Sequence, residues 1–206
     1  MEKTSEIDAR DRILDAAEVE FAANGYGDAG MKAIATRAGV AQGLLHYHFK
    51  NKERLYGEMV GRRAKLISAK RIEMLDAVDL SEPDALERIF EAFFSPPLGK
   101  EGGGPTCARI FAQLAVGNER DQKLVETYYD AGAKKFIHAL QTALGDETSE
   151  RATWAYSFAL GALIGVIGRD GRPERLMGKS KIPETDLRLE LIPRLVNFAA
   201  GGARAQ

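Results

Sequence analysis

The stretch "MKAIATRAGVAQGLLHYHF", residues 31–49, decides how the chain is read. Two short helices joined by a tight turn can cross steeply only under steric conditions. The first helix needs a small residue at the crossing, and Ala35 supplies it. The turn needs a residue that accepts positive φ, and Gly39 supplies it. Ile34, Ala38, Val40, Leu45 and Phe49 fall where apolar anchors are required. Together these are the requirements of a helix-turn-helix unit.

In such a unit the second helix enters the major groove of DNA. Here that helix reads Gln42–His48. With Leu45 turned inward, Gln42, Leu44, His46 and Tyr47 point elsewhere. Glutamine pairs with the N6 and N7 edge of adenine, and a leucine can meet a thymine methyl. Tyr47 and His48 can hydrogen-bond phosphates, and Lys50 and Lys52 add a sequence-independent electrostatic attraction. Lys32, Thr36, Arg37 and Gly43 complete the expected DNA-contact set. The two histidines lie about 200° apart on a helix, which argues against a shared metal. No G-x-S-x-G, phosphate loop or dinucleotide fingerprint accompanies them. No catalytic residue, metal site or cofactor is expected.

Outward from this stretch the pattern is helical, with no convincing period-2 run. The sequence predicts helices over about 8–24, 31–38, 42–48, from near Asn51 onward, 81–94, 106–117, 120–144, 149–168 and 185–200. Residues 95–105 read as a loop and 169–183 as a polar connection. Pro193 is expected to kink or weaken the last helix. An N-terminal unit over 1–54, a larger bundle over 55–200 and a disordered tail over 201–206 follow.

The net charge of −1 hides an uneven distribution. Residues 1–30 carry −5, residues 31–71 carry +8, and the remainder carries −4. The basic segment suggests a polyanion contact; a solvated helix face is the competing reading. The single Cys107 excludes an intramolecular disulfide. The first twenty residues are charged throughout and do not resemble a signal peptide. The longest apolar run, 154–168, is too short to span a bilayer. A cytoplasmic location is expected, with no membrane partner.

The stretch "FAANGYGDAGMKAIATRAGVAQGLLHYHFKNKERL", residues 21–55, resembles the N-terminal domain of the TetR family of bacterial transcriptional regulators. The matching elements are F-A-x-x-G-Y, I-A-x-x-A-G-V and G-x-L-x-x-x-F-x-x-K-x-x-L, covering about residues 10–56. The resemblance implies an all-α homodimer, with DNA bound by the N-terminal domain and a small molecule in the C-terminal domain. Two departures stand out. Ala29 and Gly30 occupy the place of a capping Thr or Ser, and Ala41-Gln42-Gly43-Leu44 replaces Ser-Lys-Gly-Thr.

The resemblance also implies that the last two helices pair with a second copy. Phe158, Gly161, Leu163, Gly165 and Ile167 would contribute from one, and Leu187, Leu191, Leu195 and Phe198 from the other. Phe90, Phe94, Tyr128, Tyr129, Phe136 and Trp154 are the aromatic residues placed to line a cavity or to fill a core. Phe90, Phe94, Tyr128 and Trp154, with Arg109 and Gln113 as polar anchors, are the expected ligand-binding set. The reading is a DNA-binding repressor released from double-stranded operator DNA by a small molecule. Its rivals are a ligand-binding helical bundle without DNA function and a membrane-surface protein using the basic 62–71 stretch.

Overall fold

A computed structural model describes residues 2–168, 171–178 and 184–205, with side chains from Asp8 onward except Pro105 and residues 184–189. Among the described residues the chain forms eleven α-helices, one 3-10 turn and no strand. It divides into two compact units, Met1–Ala64 and Lys65–Gln206. The division falls inside the helix Lys52–Asp76, later than the break at 54/55 expected from the motif. The reason is chemical. Tyr56 packs on Phe21 and Tyr26, while Arg62 and Arg63 pair with Asp15 and Glu18.

In the first unit, α1 spans Glu2–Asp28 and breaks at Gly25, whose φ of 67° ends regular helix where the sequence predicted a stop. Helix α2, Met31–Ala38, ends on Gly39 at φ 64°, and α3 runs Gln42–Phe49. The Gly39 amide donates to Thr36 O at 3.2 Å and the Val40 amide to Ala35 O at 3.0 Å, closing the turn. The start of α2 has no side-chain cap, as the Ala29-Gly30 departure implied. Helix α4, Lys52–Asp76, is capped by Asn51, whose Oδ1 accepts from the Arg54 amide at 2.8 Å. Ile13, Leu14, Phe21, Ile34, Leu45, Phe49 and Leu55 are buried almost completely.

The second unit is built around α5, Ala85–Leu98, which packs against α8 (Asp130–Leu144), α9 (Glu150–Ile167) and α11 (Glu184–Ala205). Its start lies later than expected because Ser81 is occupied by Asp79, to which both its amide and its hydroxyl donate. Its end lies inside the stretch read as a loop. Pro96 and Pro97 continue the helix, and a 3-10 turn over Lys100–Gly102 folds back on it. Gly102 is required there, since a Cβ would sit 1.9 Å from the Pro97 carbonyl oxygen.

Helix α6 spans Gly104–Ala115. The segment read as one helix over 120–144 is two, α7 (Glu119–Tyr128) and α8 (Asp130–Leu144), separated at Tyr129. Helix α9 spans Glu150–Ile167, and α10 is the short Arg172–Leu176. The remainder of the polar connection, 169–170 and 179–183, lies outside the described residues.

Helix α11 spans Glu184–Ala205 and runs through Pro193. It also runs through Gly201 and Gly202, where a disordered tail was expected. Ala199, Ala200 and Ala203 are buried, so the small residues form a seat rather than a frayed end. Arg151 donates to the carbonyls of Ala203 and Arg204 at 3.0 and 2.8 Å, capping the last turn. Arg204 forms a bidentate pair with Glu87 at 2.6 and 2.7 Å.

Candidate nucleic-acid interface and ligand cavity

Helix α3 has two unlike sides. Leu45 and Phe49 are fully buried, while Gln42, Gly43, His46 and Tyr47 are exposed, Tyr47 by 70%. A large aromatic ring left that open is a feature of the surface and no part of the core. Leu44 and His48 are half-buried, and the His48 Nε2 is shielded without a hydrogen-bond partner. Lys32 and Thr36 are exposed on α2, where the Thr36 hydroxyl donates to Lys32 O at 3.0 Å. Lys50 closes α3 at φ 57°, unusual for a residue with a side chain, and its carbonyl lies 3.2 Å from His46 Nδ1.

Two expected DNA contacts are engaged inside the unit. Arg37 donates to Glu20 at 2.7 Å. Lys52 is half-buried; its ammonium donates to Gly27 O at 2.8 Å and stands 4.9 Å from the Tyr26 ring centroid. Lys52 therefore pins the end of α1 instead of reaching outward.

The basic segment is largely answered within the chain. Arg54 pairs with Glu58 at 2.7 Å, Arg62 with Asp15 at 2.7 Å and Glu18 at 2.8 Å, and Arg63 with Glu18 at 3.0 Å. Burial alone would lower the Arg62 guanidinium, but its hydrogen bonds to Glu18 and Asp15 outweigh that and raise it. Lys70 pairs with Glu73 at 2.6 Å, and Arg71 is buried. Within 62–71, Lys65 is exposed with no ion pair among the described residues, so the stretch presents one unpaired charge rather than a basic patch. Among the described residues no helix is long and apolar enough to cross a membrane.

The second unit holds a cavity of about 370 Å³. Its walls include Arg71 from α4, Phe111 and Leu114 from α6, Tyr129 at the α7–α8 break, and Tyr156 and Leu160 from α9. Phe111 and Tyr129 meet edge to face at 5.6 Å. None of the six expected ligand residues lines it. Phe90 and Phe94 are sealed in the bundle core, with Phe136 beside them. Arg109 and Gln113 face solvent on the far side of α6, and Tyr128 is half-buried off the cavity. Trp154 is 53% exposed and stacks on Phe158 at 5.6 Å. Of the aromatics that sequence put forward, only Tyr129 reaches the wall. Arg71 and Tyr156 were missed. An arginine in an apolar-spaced helix beside Ile67 and Leu75 was the available signal.

The residues expected at a dimer face also separate. Phe158, Gly161, Gly165 and Phe198 are exposed and Leu191 is half-buried. Leu163, Ile167 and Leu195 belong to the bundle's own core, because they face α5 and one another rather than outward. The Leu187 side chain lies outside the described residues.

A helix-turn-helix head with an open face on its second helix, in one chain with a helical unit that holds a cavity, is the arrangement of a class of all-helical transcriptional regulators. Residues 13–59 match the tetR family of bacterial regulatory proteins, and residues 88–202 match the tetracyclin repressor-like C-terminal domain. The chain belongs to the TetR family. Its members and the named relatives are transcriptional regulators, not enzymes.

The transcriptional activator FasR of Mycolicibacterium smegmatis is 37% identical over 86 residues, 41% of this chain and 38% of that protein. The transcriptional repressor KstR of Mycobacterium tuberculosis is 32% identical over 125 residues, 58% of this chain and 56% of that protein. The matches therefore span little more than half of these relatives at most. Among solved structures, the fatty acid degradation regulator FadR from Bacillus halodurans aligns with a TM-score of 0.67 at 20% identity, covering 93% of this chain and 98% of that one. PfmR from Thermus thermophilus aligns with a TM-score of 0.61 at 20% identity, covering 89% and 97%. At such identities the likeness establishes the fold.

Proposed function

We propose that the chain is a homodimeric DNA-binding repressor whose hold on operator DNA is released by a small molecule. The observation that carries this is the asymmetry of α3: Leu45 and Phe49 lock it down while Gln42, Gly43, His46 and Tyr47 stand open. Gln42, Leu44 and His46 read bases, and Tyr47, His48, Lys50 and Lys32 meet phosphates. Two copies reading half-sites of a palindrome explain why a short helix suffices.

The pairing surface is the outer face of α9 and α11, which pack on each other within the chain. Trp154, Phe158, Gly161 and Gly165 form one stripe on α9, and Phe198 stands 69% exposed on α11. Large exposed rings beside exposed glycines suit close helix contact with a second copy. Effector binding in the cavity releases DNA only if the effector prefers the DNA-incompetent state. Repression is the sign assigned because the repressor relative matches more of the chain than the activator does.

Mobility-shift titration on DNA from upstream of the chain's own gene tests this reading. Wild type should shift it in a salt-dependent way, and Phe158→Arg should yield a monomer that does not. A wild-type dimer indifferent to such DNA and to fragments selected from the whole genome would leave only a ligand-binding bundle.

A further inference from the structure

Arg71 is the buried cation that the fold leaves unanswered. It is 6% exposed. Its Nε donates to the Phe93 carbonyl oxygen at 2.8 Å, and the guanidinium lies 4.1 Å over the Phe93 ring. A guanidinium has five N–H donors. Among the described residues no other hydrogen bond is made by Arg71, its Nη2 is shielded with no acceptor, and no carboxylate comes within 4.0 Å. Burial lowers it to about 10, so it remains charged at neutral pH. A buried charge with most of its donors idle is costly unless something pairs with it.

What surrounds Arg71 indicates the partner. It lines the cavity with Phe111, Leu114 and Leu160, which offer an apolar bed. Tyr156 lies beside it, and burial raises that phenol above its ordinary value, so it stays a neutral O–H donor. Glu126 and Asp130 line the same cavity with exposed side chains, and the Asp130 charge is near enough to Tyr156 to add to the rise of its phenol. That arrangement disfavours a second anionic group on the ligand. At about 30 Å³ per water-sized group, the cavity holds roughly a dozen non-hydrogen atoms.

We propose that the cavity binds a monoanionic amphiphile, a small organic carboxylate whose head pairs with Arg71 and whose apolar body lies along Phe111, Leu114 and Leu160. This rests on the reading of the bundle as the effector unit and names the effector's chemical class. The carboxylate accepts from Nη1, the Nη nitrogen that is not shielded, and Tyr156 lines the same cavity. An arginine fork suits a planar carboxylate better than an ammonium point charge would.

The test uses the full-length dimer and three probes of equal chain length, octanoate, 1-octanol and octylamine, measured by calorimetry and thermal shift. Octanoate, with about ten non-hydrogen atoms, fits the volume. It should bind at least about tenfold more tightly than 1-octanol, and octylamine should not bind. Arg71→Gln should lose at least about tenfold for octanoate while holding 1-octanol within about twofold, and Arg71→Lys should fall between. Leu160→Trp, which fills the cavity and keeps Arg71, should also abolish octanoate binding and covers the case in which the Arg71 variants do not fold.

Equal affinity for acid and alcohol, or an octanoate affinity indifferent to both Arg71→Gln and Leu160→Trp, overturns the assignment. So does a wild type that binds operator DNA but no octanoate, although the regulator reading then stands. Arg71-dependent octanoate binding by a protein that shifts no DNA keeps the ligand class and removes the regulator reading.

Discussion

The two units handle their buried chemistry in opposite ways. In the first, side chains fill the interior and charges find partners: Phe21, Leu45 and Phe49 are sealed, and Glu18 and Glu20 answer Arg62, Arg63 and Arg37. The role proposed for it lies on the outside of one helix. In the second, α5 seals the core, yet a cavity survives beside it with Arg71 in the wall. The role proposed for it lies inside. In the proposed reading a well-filled head presents its surface to DNA, while a bundle with unfilled volume can be occupied and so biased between states.

The sharpest break of this contrast is Phe49→Ala. Deleting a fully buried ring should cost the first unit about 3–5 kcal/mol. Chemical unfolding with Trp154 fluorescence, which reports the second unit, should separate from the loss of operator binding. Simultaneous loss of both would mean that the units do not unfold independently.

Gly39→Val comes next. Forcing a β-branched side chain to φ 64° should cost on the order of 1–2 kcal/mol and weaken operator binding by opening the α2–α3 turn. Unaltered stability on thermal unfolding would show that the turn has another conformation available.

Lys50→Gly separates stability from function. Lys50 holds φ 57° with ψ −54°, a γ-turn-like conformation that strains a residue with a side chain more than it strains glycine, so the variant should be more stable by about 1 kcal/mol. It should nevertheless bind operator more weakly, with the log–log salt slope reduced by about 0.9 if one phosphate contact is lost. Unchanged slope and affinity would place Lys50 outside the interface.

Smallest is Arg204→Ala, which should cost less than about 1 kcal/mol because its pair with Glu87 is partly solvent-exposed. Hydrogen bonding from Arg204 holds the Glu87 carboxyl below its usual value. The contribution is therefore present above the ordinary carboxylate pKa and lost as pH falls through the lowered folded value. The difference between wild type and Arg204→Ala should vanish in acid; a difference that grows there would contradict the pairing.

The head was legible because its determinants are local. Ala35, Gly39, Leu45 and Phe49 act through spacing within nineteen residues, and each stands where the steric argument put it. The limits appeared where a side chain's fate depends on a distant partner. Lys52 and Arg37 read as free cations, but Gly27 O and Glu20 hold them. The +8 segment reads as a polyanion surface, yet Arg37, Arg62 and Arg63 are answered by acids of the first thirty residues.

In the bundle, aromatic identity could not distinguish core from cavity wall. Phe90 and Phe94 share helical spacing with wall residues elsewhere, and only α5's position among α8, α9 and α11 makes them core. The tail was misread because Gly201-Gly202 suggests flexibility, while Ala200, Ala203 and the Arg151 cap make those turns continuous helix. The break at Tyr129 left no glycine or proline to announce it.

The central claim is that the open face of α3 holds DNA. Its most direct test is fluorescence anisotropy of the full-length protein and Tyr47→Ala on an operator fragment selected from genomic DNA, across a salt series. Wild-type affinity should fall steeply with salt. Tyr47→Ala should bind at least about tenfold more weakly, with folding stability unchanged within about 0.5 kcal/mol. Equal operator affinity for the two proteins at every salt concentration would contradict the account.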